Sequence, residues 1–288
     1  MMTVLQATSM AVQSATQAPS APAAAGANDV LFILVLTAFV LLLALEILRP
    51  YRNYGAKVAH DSFVTNTTAF LFNNILMSLL SASSLFVVAE HYGRGGLLSG
   101  LDNTILTWFV SFLVFDFAIY VWHAAGHRFE IFWRFHKIHH SDKSLNVTTG
   151  FRFHVFDLFL ELLYKCAIVI IFGLQATVVL GCELVRMLFV LFHHSNLSFK
   201  GEQWLSQLII TPALHRVHHS TLRSEHDSNY GIALSIWDRL FGTRKELVPE
   251  KIGLDLIEAE NFVQLFCLVF ITERRVQKLL RMLPRGRR

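Results

Sequence analysis

The stretch VLFILVLTAFVLLLALEIL, residues 30–48, holds one charged residue, Glu46, among 19. A helix rises about 1.5 Å per residue, so this run matches the roughly 30 Å hydrocarbon layer of a bilayer. A chain that carries it needs either lipid or an unusually thick protein shell to cover it. The shell is not there: the 288 residues are 53% hydrophobic and 16% charged, with mean hydropathy +0.46. Such a balance excludes an ordinary soluble domain. In lipid the backbone must satisfy its own polar groups, which makes the helix the element for runs of this kind. The expected fold class is all-α, an integral membrane helical bundle of about four to five transmembrane helices. A cytosolic helical cap is expected beside it.

Further apolar runs lie near 65–90, softened by Asn73 and Asn74, and at about 104–124, 155–173 and 174–192. The last two meet at a tight turn near Gly173 and either cross as a pair or re-enter as a buried hairpin. They carry Glu161, Lys165, Glu183 and Arg186. An unpaired charge at the centre of a membrane helix costs about 2.5–3.5 kcal/mol on insertion scales. With the turn near Leu174, Glu161 falls level with Arg186 and Lys165 level with Glu183. Two opposite-sign pairs that fix the hairpin are therefore expected.

Basic residues orient the bundle. Arg49, Arg52 and Lys57 follow the first run, which puts that side in the cytoplasm. Five spans then place 49–64, 125–154 and 193–288 on the same face. Residues 1–29, rich in Ala, Ser, Gln and Pro and without Lys or Arg, are expected to be a disordered tail. A cleaved leader is not expected there, since a basic start is missing and the apolar run begins late. The expected organisation continues with N-terminal transmembrane helices over 30–100, a catalytic domain over 101–246 and a basic amphipathic segment over 247–288. In that last segment Val276, Leu279, Leu280 and Leu283 recur at helical spacing between basic residues. It suits a helix on an anionic membrane surface, or a solvated basic end.

Eleven of the 14 histidines fall between 123 and 219. HKIHHS (136–141) and HRVHHS (215–220) share one spacing, and HAAGH (123–127) precedes them. On a helix i and i+4 lie on one face, so each cluster presents its imidazoles together. TPALH before the last cluster reads as a helix start, with Thr211 as N-cap and Pro212 in the first turn. Burying so many polar rings is unfavourable unless each finds a partner. A metal provides one, and imidazole suits Fe, Zn, Cu or Ni. Eight or nine ligands exceed one ion and fit two. The three cysteines form no CxxC pair, so neither a disulfide framework nor a thiolate metal site is expected.

Asp116, Tyr120, His123 and His127 form one helical stripe, which makes Asp116 and Tyr120 candidate catalytic residues beside the ligands. Asp116 either accepts a histidine N–H from the outer shell or bonds water near the interface. One of His193 and His194 is expected to complete the ligand set. His154 is a ligand, an outer-shell group or an interfacial histidine. His60, His91 and His226 have no partner nearby in the sequence.

DFAIYVWHAAGH, FHKIHHS, FRFHVFD, FHHSN, LHRVHHS and DSNYGIALSIWDRLFGT, in this order over 116–243, resemble the fatty acid hydroxylase superfamily in its sterol desaturase branch. The resemblance implies a membrane-embedded non-haem di-iron enzyme. Such enzymes use O₂ and two electrons to hydroxylate or desaturate lipids, sterols and related molecules. It implies as metal ligands His123, His127, His136, His139, His140, His215, His218 and His219, and it selects His194 over His193. Where the family often reads His-Pro-x-Glu, this chain reads HVFD: Asp157 stands in the Glu position and the proline is missing. The cofactor implied is Fe, two iron ions per chain. The substrate is a lipid or sterol-like molecule entering from the bilayer. Trp122, Phe132, Trp133 and Phe135 line its cavity or serve as packing and interface anchors. No dinucleotide motif or haem module is visible, so an external donor is expected, a small cytochrome or ferredoxin with its reductase. No nucleic-acid partner is expected. The competing reading is a histidine-rich membrane metal-binding or metal-transport protein without oxygenase activity. Ligands grouped at one face favour a fixed site over a pathway.

Overall fold

The computed structural model describes residues 22–79, 85–93, 95–101, 104–255 and 259–271. Every regular element among them is helical, and the extended pairings are two isolated bridges, Ile209 with Leu234 and Ser220 with Ile252. Helix α1 (Pro22–Leu48) begins eight residues before the apolar run, inside the stretch expected to be a disordered tail. It is followed by α2 (Ala56–Leu79), α3 (Leu85–Tyr92) and α4 (Thr104–Arg128). The basic segment 272–288 and residues 1–21 lie outside the described residues.

Among the described residues three helical stretches are long and apolar enough to cross a membrane: Val30–Leu48, Thr104–Arg128 and Ala176–His194. They correspond to three of the four to five spans expected. The other two runs form membrane-length helices of mixed character. Helix α2 carries Lys57, Asp61, Asn66, Asn73 and Asn74, and α6 (Val155–Phe172) carries Asp157, Glu161 and Lys165. Several of those polar groups face protein, though Lys57 and Asn74 are exposed: Asn73 donates to Phe153 O, and Asn66 reaches Asp142 at 2.8 Å.

Helix α6 ends on Gly173, whose φ of 68° is the left-handed conformation that glycine adopts without a Cβ clash. Gly96 presses against it. A Cβ at Gly96 would lie 2.0 Å from the Gly173 nitrogen, so no side chain fits there. Leu97 and Leu98 then donate to the carbonyls of Ile171 and Phe172. The turn is thereby clamped to the α3 connection, and α7 (Ala176–His194) starts at once on the far side. Leu85, Phe115, Ile119, Val169, Val178 and Cys182 form the apolar core where α3, α4, α6 and α7 meet.

The four charges of this hairpin come together. Lys165 Nζ lies 2.8 Å from Glu183 and 3.2 Å from Glu161. Arg186 lies 3.0 Å from Glu183 and 3.9 Å from Glu161. The expected pairs are present, and they merge into a ring of alternating sign because each helix also pairs its own charges. Swapping one cross-helix pair would set like charges side by side along each helix, so neutralisation is the cleaner probe. Lys165→Met alone should destabilise the detergent-solubilised protein by about 3 kcal/mol, the low end for a broken buried pair, since Glu183 stays 26% exposed. Adding Glu183→Gln should recover part of that loss. A double variant as unstable as the sum of the singles would show that the two groups do not interact.

Candidate metal centre

Each histidine cluster ends or forms a short rigid element. His123 and His127 occupy the last turns of α4. His136, His139 and His140 close α5 (Glu130–His140), an 11-residue helix. His193 and His194 end α7. Between α7 and the last cluster lies α8 (Glu202–Leu205); His215 and His218 then sit on α9 (Pro212–His218), with His219 as its C-cap. Pro212 takes the first turn as expected. Thr211 is extended at the N-cap position, yet its hydroxyl makes no capping bond. The buried carboxylate of Glu202 does this instead, accepting from Ala213 N. A residue nine positions upstream of the expected cap thus anchors the helix start.

A polar frame fixes α5. Asp142, 2% exposed, accepts from Ser62, Asn66 and Thr149, each at 2.8 Å. The Arg152 guanidinium is equally buried and donates to Ile138 O, Ser141 Oγ, Asn66 Oδ1 and Ala259 O. A fully satisfied buried network of this kind rigidifies what it touches.

The helices bring all nine expected ligand residues into two groups. The first comprises His123, His127, His136, His140 and His218; the second comprises His139, His194, His215 and His219. Within each, one nitrogen or more per ring lies within 4.8 Å of all the others, and every ring is buried. The groups adjoin: the His140 ring stacks on His219 at 4.5 Å.

Hydrogen bonds assign the tautomers of the first group. His123 Nδ1 donates to Tyr230 O at 2.8 Å, and His218 Nδ1 to Ser228 O at 2.6 Å. His127 Nδ1 reaches Asp227 at 3.3 Å, and His136 Nδ1 reaches Asp157 at 3.1 Å. With the proton on Nδ1, each Nε2 is a bare lone pair. The Nε2 atoms of His123, His127, His136 and His218 are buried and have no protein partner. Buried polar atoms are seldom left so, and four convergent lone pairs repel unless a cation sits among them.

In the second group the nitrogens face one another. His194 Nε2 lies 3.0 Å from His139 Nε2 and 2.9 Å from His215 Nε2, which lies 3.1 Å from His219 Nε2. Two nitrogens about 2.0–2.1 Å from one ion and at right angles would stand about 3 Å apart. Burial pushes His139, His140, His215, His218 and His219 well below the ordinary histidine range. The rings are therefore neutral, which is the form that binds metal. The donor set fits two imidazole-ligated ions.

Asp116, Tyr120, His154 and His193 lie outside both groups. Among the described residues Asp116 hydrogen-bonds no histidine. Its carboxylate accepts from Trp237 Nε1 at 2.8 Å and from the Ala233 and Leu234 amides at 3.3 Å. The Tyr120 hydroxyl meets Thr243 Oγ1 at 3.1 Å, and its ring packs near Phe117 and Phe241. Both lie on the stripe that the helical period predicts, but segment 227–243 folds back across that stripe and takes their bonds. Neither residue reaches the histidine nitrogens. His154 joins neither group: it is the N-cap of α6, where its Nδ1 accepts from Phe156 N. His193 also stays outside both, bonded through Nδ1 to Ile232 O.

Sequence spacing missed His226, which is buried, stacks on Trp133 at 5.3 Å and bonds Ser220 O. It also missed Asp227. His127, His226 and Asp227 form a third ligand-like group, but it shares His127 with the first. Since His127 presents Nδ1 to Asp227, the carboxylate orients that ring. The motif DSNYG, which begins at Asp227, was the available signal. Wall candidates Trp122 and Phe132 pack on each other at 5.2 Å, and Trp133 lies against His127 and His140.

Residues 108–243 match the fatty acid hydroxylase family model, and they contain all nine histidines. Ornithine lipid hydroxylase OlsE of Rhizobium tropici is 35% identical over 135 residues, 46% of this chain and 39% of that protein. Alkylglycerol monooxygenase of Homo sapiens is 31% identical over 138 residues, 48% of this chain and 30% of that protein. Lathosterol oxidase of Mus musculus is 33% identical over 137 residues, 47% and 44%. The chain spans less than half the length of each of these relatives. No solved structure matches it.

Asp116→Asn should lower the unfolding free energy by about 1–3 kcal/mol, because an amide cannot accept from three converging donors. Trp237 emission should change with it. Tyr120→Phe should cost about 1 kcal/mol and leave metal content unchanged. Metal loss in Tyr120→Phe would return that residue to the site.

Proposed function

Starting from a chain whose residues 108–243 match the fatty acid hydroxylase family, we propose a membrane-bound non-haem di-iron oxidoreductase that hydroxylates or desaturates a lipid or sterol-like substrate. The observation that carries this reading is the pair of adjoining all-histidine groups, whose convergent Nε2 atoms have no protein partner in four rings of the first and face only one another in the second. Zinc would satisfy the same nitrogens but has no redox chemistry to attack a C–H bond. The relatives act as a lipid hydroxylase, a monooxygenase and a sterol oxidase, which supports the reaction class.

Two irons, when bound, supply the reductive activation of O₂. For hydroxylation the balance is R–H + O₂ + 2e⁻ + 2H⁺ → R–OH + H₂O; for desaturation two hydrogens leave the substrate and two waters form. The two electrons come from an external donor, a small cytochrome or ferredoxin with its reductase. This chain supplies the holding and the shielding. Imidazole ligands hold the metals without adding negative charge near lipid. Asp157, Asp227 and the Tyr230 and Ser228 carbonyls fix which nitrogen faces the metal. Phe153 stacks on His139 at 4.4 Å with planes 7° apart and keeps water off that ring. The histidine groups lie on the cytoplasmic face of a multi-pass bundle, reached by substrate from within the bilayer.

His139→Ala, in the second group, and His218→Ala, in the first, should each abolish substrate oxidation and lower iron content while membrane insertion stays intact. Lipid extracts from cells carrying the active chain should gain a product with one added oxygen or two fewer hydrogens. Full turnover with undiminished iron in either variant refutes the ligand assignment. A zinc-only protein that moves metal across liposomes would instead establish the transport reading.

A further inference from the structure

The two histidine groups differ in what stands behind them. In the first, four of five rings have Nδ1 anchored, two by carboxylates (Asp157 and Asp227) and two by backbone carbonyls (Tyr230 and Ser228). In the second, one ring of four is anchored: His194 Nδ1 donates to Val190 O at 2.7 Å. The Nδ1 atoms of His139, His215 and His219 are buried and have no protein partner. The contrast is not one of burial, since the rings of both groups are equally withdrawn from solvent.

The chemistry of imidazole turns this contrast into an affinity difference. A neutral ring carries one proton. Binding an ion at Nε2 forces that proton onto Nδ1, where it must be a donor. In the first group four acceptors already wait, so the tautomer and ring angle that bind metal are also those the empty protein prefers. In the second group three rings bury an N–H with no acceptor when they bind, which costs free energy. Without metal those rings can keep the proton on Nε2 and share it among the facing nitrogens 2.9–3.1 Å apart. The second group therefore has an internal alternative to metal, and the first does not.

We propose that the two groups hold their ions unequally: the first keeps a resident ion, and the second binds an exchangeable one. Asp157 and Asp227 are the positioning residues responsible, acting through His136 and His127. The inference rests on the two-ion reading above but not on the identity of the reaction. Outer-shell partners of histidine ligands change metal affinity by about 10–100-fold each, so a difference of four partners against one separates the two classes widely.

The test uses full-length protein in detergent, loaded anaerobically with two equivalents of Fe(II) and challenged with excess bipyridine. The colour change should show two phases, one iron each. His215→Ala should remove the fast phase and leave one slowly released iron. Asp157→Asn and Asp227→Asn should each speed the slow phase at least about 10-fold and leave the fast phase unchanged, with Asp157→Glu restoring slow release. Release of both irons in one phase overturns the inference, as does an Asp157→Asn variant that speeds only the fast phase. Two unequal classes in a protein that takes up only zinc would uphold the inequality while removing the oxygenase reading. A protein that binds no ion would overturn both.

Discussion

Nine imidazoles withdrawn from water converge on two points: the first group leaves bare nitrogens that call for a cation, and the second needs either a cation or protons shared among its facing nitrogens. Neighbouring lone pairs repel, and a buried acceptor without a donor loses its hydration with no return. Protonation is no easy escape for His139, His215 and His219, because burial disfavours their charged forms. The rest of the molecule is organised around holding this convergence in place. Four separate elements deliver the rings, so the site is built by tertiary packing and not by any one motif.

That packing depends on carboxylates used as staples. Asp116 gathers the amides of 233–234 and the Trp237 indole, and Asp238 gathers the Tyr230 and Gly231 amides with Thr243. Together they pin the strap 230–243 across α4, and the strap returns the Tyr230 carbonyl to His123 and the Ile232 carbonyl to His193. Glu46 performs the same service for α1, accepting from the amides of Val147 and Asn196 at 3.0 Å. This ties the first membrane helix to the segment just after His194. The single charge of the most apolar run is thus its point of attachment to the catalytic region.

Much of this was legible in the residues. Apolar run length gave the helical class, and the HxxxH and doubled HxxHH spacings gave eight of the nine rings, because all depend on local period; His194 was selected by the family resemblance. The hairpin pairing of Glu161, Lys165, Glu183 and Arg186 followed from counting outward from the turn near Leu174. What local period cannot report is which long-range segment arrives on a helix face. Asp116 and Tyr120 share the stripe of His123, yet the partners that decide their roles come more than a hundred residues later. The same blindness hid Asp227 and His226, whose places are fixed by the fold-back of 220–230. Asp157 was legible as a substitute for glutamate, and its bond to His136 gives that substitution a physical role.

The central claim is that nine histidines hold two ions at adjoining sites. Anomalous diffraction at the iron edge from crystals of iron-loaded protein tests it most directly. The account predicts two peaks per chain, one enclosed by His123, His127, His136, His140 and His218 and the other by His139, His194, His215 and His219. A single peak, or peaks away from these rings, would contradict it.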